Sequence, residues 1–448
     1  MRRVRRIGRS AHLQRDMQDK LFGHRRIIIP ATVVFFLGLA VRLLLLVLLH
    51  TEPEAPPEPV KIAISLATTG KYADAYGTGV GPTAHCAPLH PLLLSGLLRI
   101  FGTNEAGRFS IKVAASTGSA LVFALLPLLA FASGLNPIAG VLAGAAGAVL
   151  PFNFWPQTSG VFDAPFTAVV LVGLCILVCR IWARGTLTMR EGVILGTAAG
   201  LGSLLNPAIL PVLAAWLITI AVENRRRARQ VLLLWGACAA CLIWTLTPWA
   251  VRNLRVLGSL IWTRSNFWLE MHVSNNDWLT ADEERNERMP EFALVHPYLG
   301  AVEKAKVKKL GEVAYMRLKR REAIAWVGGH KRKFLVLTAE RVRLFWLPRM
   351  TRPLQTLLEA LLTILGLGGL VLLFRQRARS AWLFAGIFVA YPAVYYIIQV
   401  SPRYRLPIEP FLFLLAAHLV WTFTANSRVQ LRERHARNVE AFSGASTP

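Results

Sequence analysis

Apolar residues in this chain gather into long runs that charged residues rarely interrupt. Ten runs, at approximately 27–49, 113–133, 136–153, 163–183, 190–206, 207–223, 230–250, 353–374, 380–399 and 407–424, are long enough or nearly so to cross about 30 Å of hydrocarbon as helices. The fifth and sixth meet at Asn206 and Pro207, which demands a tight turn. Two hydrophilic stretches separate groups of runs, one from Thr51 to Arg108 and one from Arg252 to about Met350. The pattern predicts an all-α, polytopic membrane protein of about ten transmembrane helices.

Composition agrees. Hydrophobic residues make up 54% of the 448 positions and charged residues 17%, whereas soluble domains sit near roughly 45–50% and about 25%. The first run is too long for a signal-peptide core, and no small-residue cleavage site follows it, so it reads as an uncleaved span. Five cysteines (Cys86, Cys175, Cys179, Cys238, Cys241) give no disulfide framework, and four lie inside apolar runs where they pack. Cys238-x-x-Cys241 matches a redox or zinc half-motif in spacing only.

Positive charge sets the expected orientation. A formal charge of +26 would suit a nucleic-acid binder. However, the blocks Arg2 to Arg9, Arg225 to Arg229 and Arg375 to Arg379 abut apolar runs, where anionic lipid and the positive-inside bias account for them. Membrane lipids are therefore the expected partners, and nucleic acid is not. The stretch from Leu89 to Phe101 is too short to span. Laid in the interface, it leaves Arg180, Arg184 and the later short-loop blocks inside.

The expected layout is a basic cytoplasmic arm at 1–26 and an N-terminal transmembrane module at 27–250, which carries a first outer (periplasmic) segment at 51–108. A second outer segment follows at 251–350, then C-terminal spans at 351–424 and a cytoplasmic tail at 425–448. Lys331, Arg332, Lys333, Arg341 and Arg343 then lie outside, in a segment long enough to translocate regardless of charge. Interfacial helices are expected at 58–69 and 88–101, and an amphipathic one at 333–346, whose Phe334, Leu337, Leu344 and Phe345 suit the membrane surface. Phe152, Phe154, Trp155 and Trp249 crowd outer span ends, as an interfacial belt or beside a site.

The spans hold almost no ionisable residue near their middles, where transporters tend to bind coupling ions. Polar groups collect at outer span ends and in the outer segments, which suits chemistry on a lipid-borne head group. Several short strings follow in order: Glu58 ahead of Ile62-Ala63 and Ser65-Leu66; Gly81-Pro82-Thr83-Ala84-His85; Pro88-Leu89-His90-Pro91-Leu92-Leu93-Leu94; Pro248-Trp249-Ala250-Val251-Arg252-Asn253; and Pro402-Arg403-Tyr404-Arg405-Leu406-Pro407-Ile408-Glu409-Pro410. Over most of residues 27–424 the chain resembles the GT-C class of membrane glycosyltransferases, namely bacterial relatives of the protein mannosyltransferases and the lipid A aminoarabinose transferase.

That resemblance implies a GT-C-like fold in the cytoplasmic (inner) membrane with both termini cytoplasmic. It also implies transfer of a sugar from a polyprenyl-phosphate-linked donor to a lipid, glycan or protein acceptor on the outer face. The alternatives are a transporter or flippase of a lipid-linked saccharide, and a non-catalytic GT-C-like membrane protein. No cofactor is fixed by it, and a divalent metal ion stays open.

The chemistry needs a carboxylate to take the acceptor proton and cationic groups for the departing phosphate. Relatives commonly place an Asp soon after the first span. Here Glu52, Glu54 and Glu58 stand in that stretch, and the first Asp is Asp74. Glu58 is the first candidate base, or a charge that complements a helix start with Pro59 at its first turn. Asp74 is a second candidate, or a turn residue. Asp163 would position the acceptor or a metal, or simply begin a helix. For phosphate, Arg403 and Arg405 flank Tyr404 at the mouth of the last span, in contact with phosphate or with lipid head groups. Arg42, roughly 22 Å along the first span, would touch phosphate or snorkel. His85 and His90 bracket Pro88 and would bond sugar or phosphate, or serve structure alone.

Overall fold

The computed structural model describes residues 27–48, 56–150, 152–185, 187–347 and 353–425. The basic arm, Glu52, Glu54 and the tail from 426 lie outside the described residues. Among the described residues the protein is all helix, with two isolated backbone bridges and no strand.

Every one of the ten apolar runs is helical. Among the described residues, six helices are long and apolar enough to cross a membrane: Ile27–Leu48, Glu105–Ala132, Ala164–Arg184, Arg225–Leu257, Pro353–Arg375 and Pro402–Ala425. The remaining runs form the shorter helices Pro137–Val149, Met189–Leu205, Ile209–Glu223 and Ser380–Ala390. The protein is a membrane protein.

Three of the long helices are central and three peripheral. About two thirds of the apolar window is buried in Glu105–Ala132 (67%) and Pro402–Ala425 (67%), against 17% in Ile27–Leu48 and 28% in Arg225–Leu257. Because lipid tails are as apolar as leucine, helices associate here through close backbone approach. Gly192, Gly196 and Gly200 follow one another every fourth residue along a single face, and the Ala228–Leu257 helix seats directly on it. A Cβ at Gly196 would lie 2.2 Å from the Cys238 carbonyl oxygen. The five cysteines are unpaired, and Cys238 belongs to this packing seam.

The two hydrophilic stretches fold onto each other at one end of the bundle. Ile62, Tyr72, Ala75 and Tyr76 of the first share a hydrophobic cluster with Leu269, Val273, Phe292, Val307 and Tyr315 of the second. Buried Glu312 accepts hydrogen bonds from the Thr83 hydroxyl, the Ala84 amide (2.8 Å) and the Ser265 hydroxyl (2.7 Å). The second stretch is also stitched to the mouth of the last span: the Val400 amide donates to the Ala281 carbonyl (2.8 Å), and the Glu283 amide to the Val400 carbonyl (3.0 Å).

Two expectations shift. The seventh helix does not stop near residue 250; it runs through Pro248 to Leu257 and ends at Gly258 in the left-handed conformation. Its extra turns are anchored by Arg252, which donates to the Tyr72 and Thr83 carbonyls, both at 2.7 Å. In the amphipathic helix Lys331–Trp346, Leu337 and Phe345 are buried and Phe334 and Leu344 pack against the core. The apolar face turned outward is instead Leu335 and Val336, 65% and 62% exposed.

Candidate active site

Glu58 opens the helix Glu58–Thr69, with Pro59 in the first turn supplying a preset φ and Gly70 (φ 72°) ending it. This fixes the Glu58 carboxyl at a helix start in the polar lobe that the two hydrophilic stretches form together. The last span begins in the same way, at Pro402, which sets Arg403 and Tyr404 in its first turn. The Arg403 guanidinium donates to Glu283 Oε1 at 2.8 Å and to the Tyr404 hydroxyl at 3.0 Å. It lies 3.8 Å over the Phe162 ring, immediately before Asp163. Tyr404 stacks on Tyr395 at 4.4 Å.

These groups form one electrostatic unit. Glu58 feels Lys61, Arg403 and Glu283. Arg264 feels Tyr395, Asp163, Glu270 and Tyr404. Asp163 is held by the Thr167 hydroxyl (3.0 Å) and the Asn206 side-chain amide (2.8 Å), both on Oδ2. Asn206 comes from the turn between two short helices, so that turn reaches the same cluster. Glu58, Asp163, Arg264, Glu270, Arg403 and Tyr404 are enclosed by protein yet all keep partial contact with solvent. The arrangement is a cleft open to solvent, rather than a sealed core.

The cleft shifts its acids. Burial raises the Glu58 pKa above the ordinary carboxylate range, against the opposing pull of its backbone hydrogen bond, Lys61 and Arg403. Burial, then the neighbouring Glu283 and Glu58, push Glu270 up to about 7. Glu287 is pushed up to about 7 by burial and Glu283. His85 is the opposite case: burial, with His296 and Arg264 nearby, pushes it down to about 3, so its imidazole is neutral near pH 7.

Other candidates lie apart from the cleft's centre. Asp74 sits at φ 67° in the turn that closes on the Ala73 and Pro82 bridge, and its Oδ1 accepts the Gly81 amide at 3.0 Å. Arg42 is buried in the bundle, donating to Gln157 Oε1 and to the Gly38, Gly147 and Ala148 carbonyls. Arg405 is buried too, donating to the Trp346 and Glu359 carbonyls and the Thr363 hydroxyl, with Glu409 at 3.6 Å. His85 bonds the Tyr76 hydroxyl at 2.8 Å, and His90 Nε2 pairs with the Gly160 carbonyl at 3.1 Å. Phe152 stacks on Phe413, Trp155 packs on Phe162, and the Trp249 indole donates to the Thr263 carbonyl, so these aromatics spend themselves on protein contacts.

Arg264, Glu270, Glu283 and Glu287 belong to the cleft but carry no motif. The one available signal is Arg264 itself, a cation set among Ile261, Trp262, Phe267 and Trp268. Among the described residues no three His, Cys, Asp or Glu side chains gather as ligands for a metal ion.

A helical bundle whose polar cleft is built from two hydrophilic segments and a span mouth defines the all-α, polytopic GT-C architecture. Solved structures of the Archaeoglobus fulgidus oligosaccharyltransferase share it. Its complex with zinc and sulfate is 16% identical, with 92% of this chain matched to 51% of that one at a TM-score of 0.55. AglB from the same organism, in complex with an inhibitory peptide and a dolichol-phosphate, is 14% identical over 93% of this chain and 52% of that chain, at 0.56. The form tethered to an acceptor peptide containing the NVT sequon is 15% identical over 87% and 49%, at 0.53. The chain thus spans about half the length of these structures. No protein-family model and no curated protein sequence matches it.

Proposed function

We propose that this chain is a glycosyltransferase that moves a sugar from a polyprenyl-phosphate carrier to an acceptor hydroxyl on the outer face of the cytoplasmic membrane, with both termini cytoplasmic. One observation carries the reading. A carboxylate whose affinity for protons is raised, Glu58, shares a solvent-open cleft with the guanidiniums of Arg403 and Arg264. The fold neighbours support it, since one of them holds a dolichol-phosphate with an inhibitory peptide and another is tethered to an acceptor peptide.

In this reading Glu58 is the general base. A base works best when its pKa approaches the operating pH, and burial moves Glu58 in that direction. The acceptor O–H bond breaks and its proton passes to the Glu58 carboxylate. The acceptor oxygen bonds the anomeric carbon, and the bond from that carbon to the carrier phosphate oxygen breaks. The electron pair leaves with the lipid phosphate, whose added negative charge falls beside Arg403 and Arg264. Arg403 offers a planar set of donors that can exchange a carboxylate partner for phosphate, and the Tyr404 hydroxyl adds another. Asp163, fixed by Thr167 and Asn206, orients Arg264 from the opposite pole. His85, neutral, is available as a hydrogen-bonding group at the edge.

The test is purified protein in liposomes with a radiolabelled polyprenyl-phosphate sugar and a panel of lipid, glycan and peptide acceptors. Transfer is expected, and Glu58→Gln should slow it by about 10²–10⁴-fold. Label that crosses the bilayer still attached to its lipid would instead make the protein a flippase.

A further inference from the structure

Three lysines of the polar lobe stand together and, among the described residues, no carboxylate lies in ion-pair range of them. Lys61 lies one turn along the helix from Glu58, its ammonium 4.3 Å over the Tyr298 ring. Lys304 and Lys308 are one turn apart on the helix Ala301–Leu310, so they share a face. That face looks onto the turn at residues 74–81. A Cβ at Gly77 would lie 3.9 Å from the Lys304 ammonium, and one at Gly79 would lie 3.7 Å from that of Lys308. Gly77, Gly79 and Gly81 hold φ of 131°, 78° and 108°, conformations that favour glycine, so at Gly77 and Gly79 the turn sets no side chain against the Lys304 and Lys308 ammonium groups.

Their neighbours are treated differently. Lys306 pairs with Glu303 at 2.6 Å, and buried Lys319 pairs with Glu303 at 2.7 Å and Glu322 at 2.9 Å. Among the described residues, then, the lobe's carboxylates pair with Lys306 and Lys319, and none forms an ion pair with this trio, Glu58 acting on Lys61 only at longer range. Burial, together with the adjacent Lys304, holds the Lys61 ammonium below the usual lysine range despite Glu58. Like charges kept close repel unless an anion joins them.

The ridge also has a direction. Lys61 is one helical turn from Glu58 and also feels Lys304, and Glu58 in turn feels Arg403. The sequence Lys308, Lys304, Lys61 thus leads to the carboxylate, while the arginines stand beyond it. A donor phosphate needs the arginines, which leaves the lysines for the other substrate.

We infer that Lys61, Lys304 and Lys308 form the acceptor track, and that the acceptor is an anionic saccharide whose phosphate or carboxylate groups lie along the lysines while a hydroxyl reaches Glu58. The role of Glu58 in this statement rests on the function proposed above, whereas the anion binding does not.

The test uses the full-length protein in phosphatidylcholine nanodiscs, titrated with short-chain inorganic polyphosphate and, separately, with oligogalacturonate. Both probes should bind. Lys304→Gln/Lys308→Gln should weaken binding by about tenfold or more and flatten its salt dependence. The pair Lys331→Gln/Arg332→Gln, at the distant corner between the helices Glu312–Gly329 and Lys331–Trp346, should leave it unchanged. Equal affinity in wild type and the Lys304/Lys308 variant, or an equal loss in the corner variant, would overturn the proposal. So would loss of probe binding when 30% phosphatidylglycerol is added, since the ridge would then be a lipid head-group site. Tight probe binding alongside an inactive transfer assay would fault the catalytic reading and leave the track standing.

Discussion

Arg403 and Arg405 are two residues apart and could hardly be placed more differently. Arg405, like Arg42 and Arg341, is buried and donates to backbone carbonyls and neutral side-chain oxygens, several of them near helix ends or bends. Arg403 lies against Glu283 and Tyr404 in a cleft that water reaches. A guanidinium filled by carbonyls is a structural rivet, because any new ligand would orphan the carbonyls it leaves. A guanidinium held by a carboxylate can trade that partner for another anion. Arg405 also has Glu409 at 3.6 Å, so what separates the rivet from the ligand is its set of carbonyl partners together with its burial, and not the presence of a carboxylate alone.

The contrast can be broken first at Arg405. Arg405→Ala removes the donor for two carbonyls and a hydroxyl and strips Glu409 of its nearby cation, which should cost about 3–5 kcal/mol. The expected result is loss of monodisperse folded protein in detergent, and normal yield and melting would refute the rivet. Next comes Arg403→Gln, which should leave melting nearly in place while transfer falls by about 10²–10³-fold. Equal damage from both substitutions would erase the distinction.

A smaller effect sharpens it. With Glu58 as base, kcat/KM should rise with pH along a limb centred above the ordinary glutamate value of about 4.3. Arg403 lowers the Glu58 pKa, so Arg403→Gln should move that limb to higher pH. A limb that stays put would separate the two groups. The least effect is expected at Glu270. Its folded pKa of about 7 exceeds the unfolded value, so the native state holds its proton more tightly and loses stability as pH rises through that interval. Glu270→Gln should therefore melt higher than wild type at pH 8, and the gain should vanish below about pH 4, where both states are protonated. A gain of equal size at both pH values would show that the cause is packing.

Much of the architecture was legible because a bilayer imposes length and polarity on each span. The ten apolar runs are all helices, and Pro59 marks the start of the Glu58 helix where it was expected. Helix ends were less legible: the seventh apolar run fades near residue 250, yet Arg252 finds carbonyls in a distant segment and the helix continues to Leu257. The candidate site was legible in part. Glu58, Asp163, Arg403 and Tyr404 meet in the cleft, while Arg42 and Arg405, equally plausible by position, are held by backbone carbonyls and by the Gln157 and Thr363 side chains, contacts that no sequence pattern announces. Arg264, Glu270 and Glu283 sit in a mixed-charge stretch without periodicity, and only the folding of that stretch onto the last span gives them neighbours.

The pairing of Val400 with Ala281 and Glu283 has a consequence for length. Only Ser401 and Pro402 separate Val400 from Arg403. A single residue inserted there would leave both backbone bonds intact but turn everything beyond by about 100° with a rise of about 1.5 Å. The guanidinium would swing off Glu283 and out of the cleft. The two-residue spacer is thus a gauge block, whose count fixes the bearing of the cation more firmly than the side chains it contains.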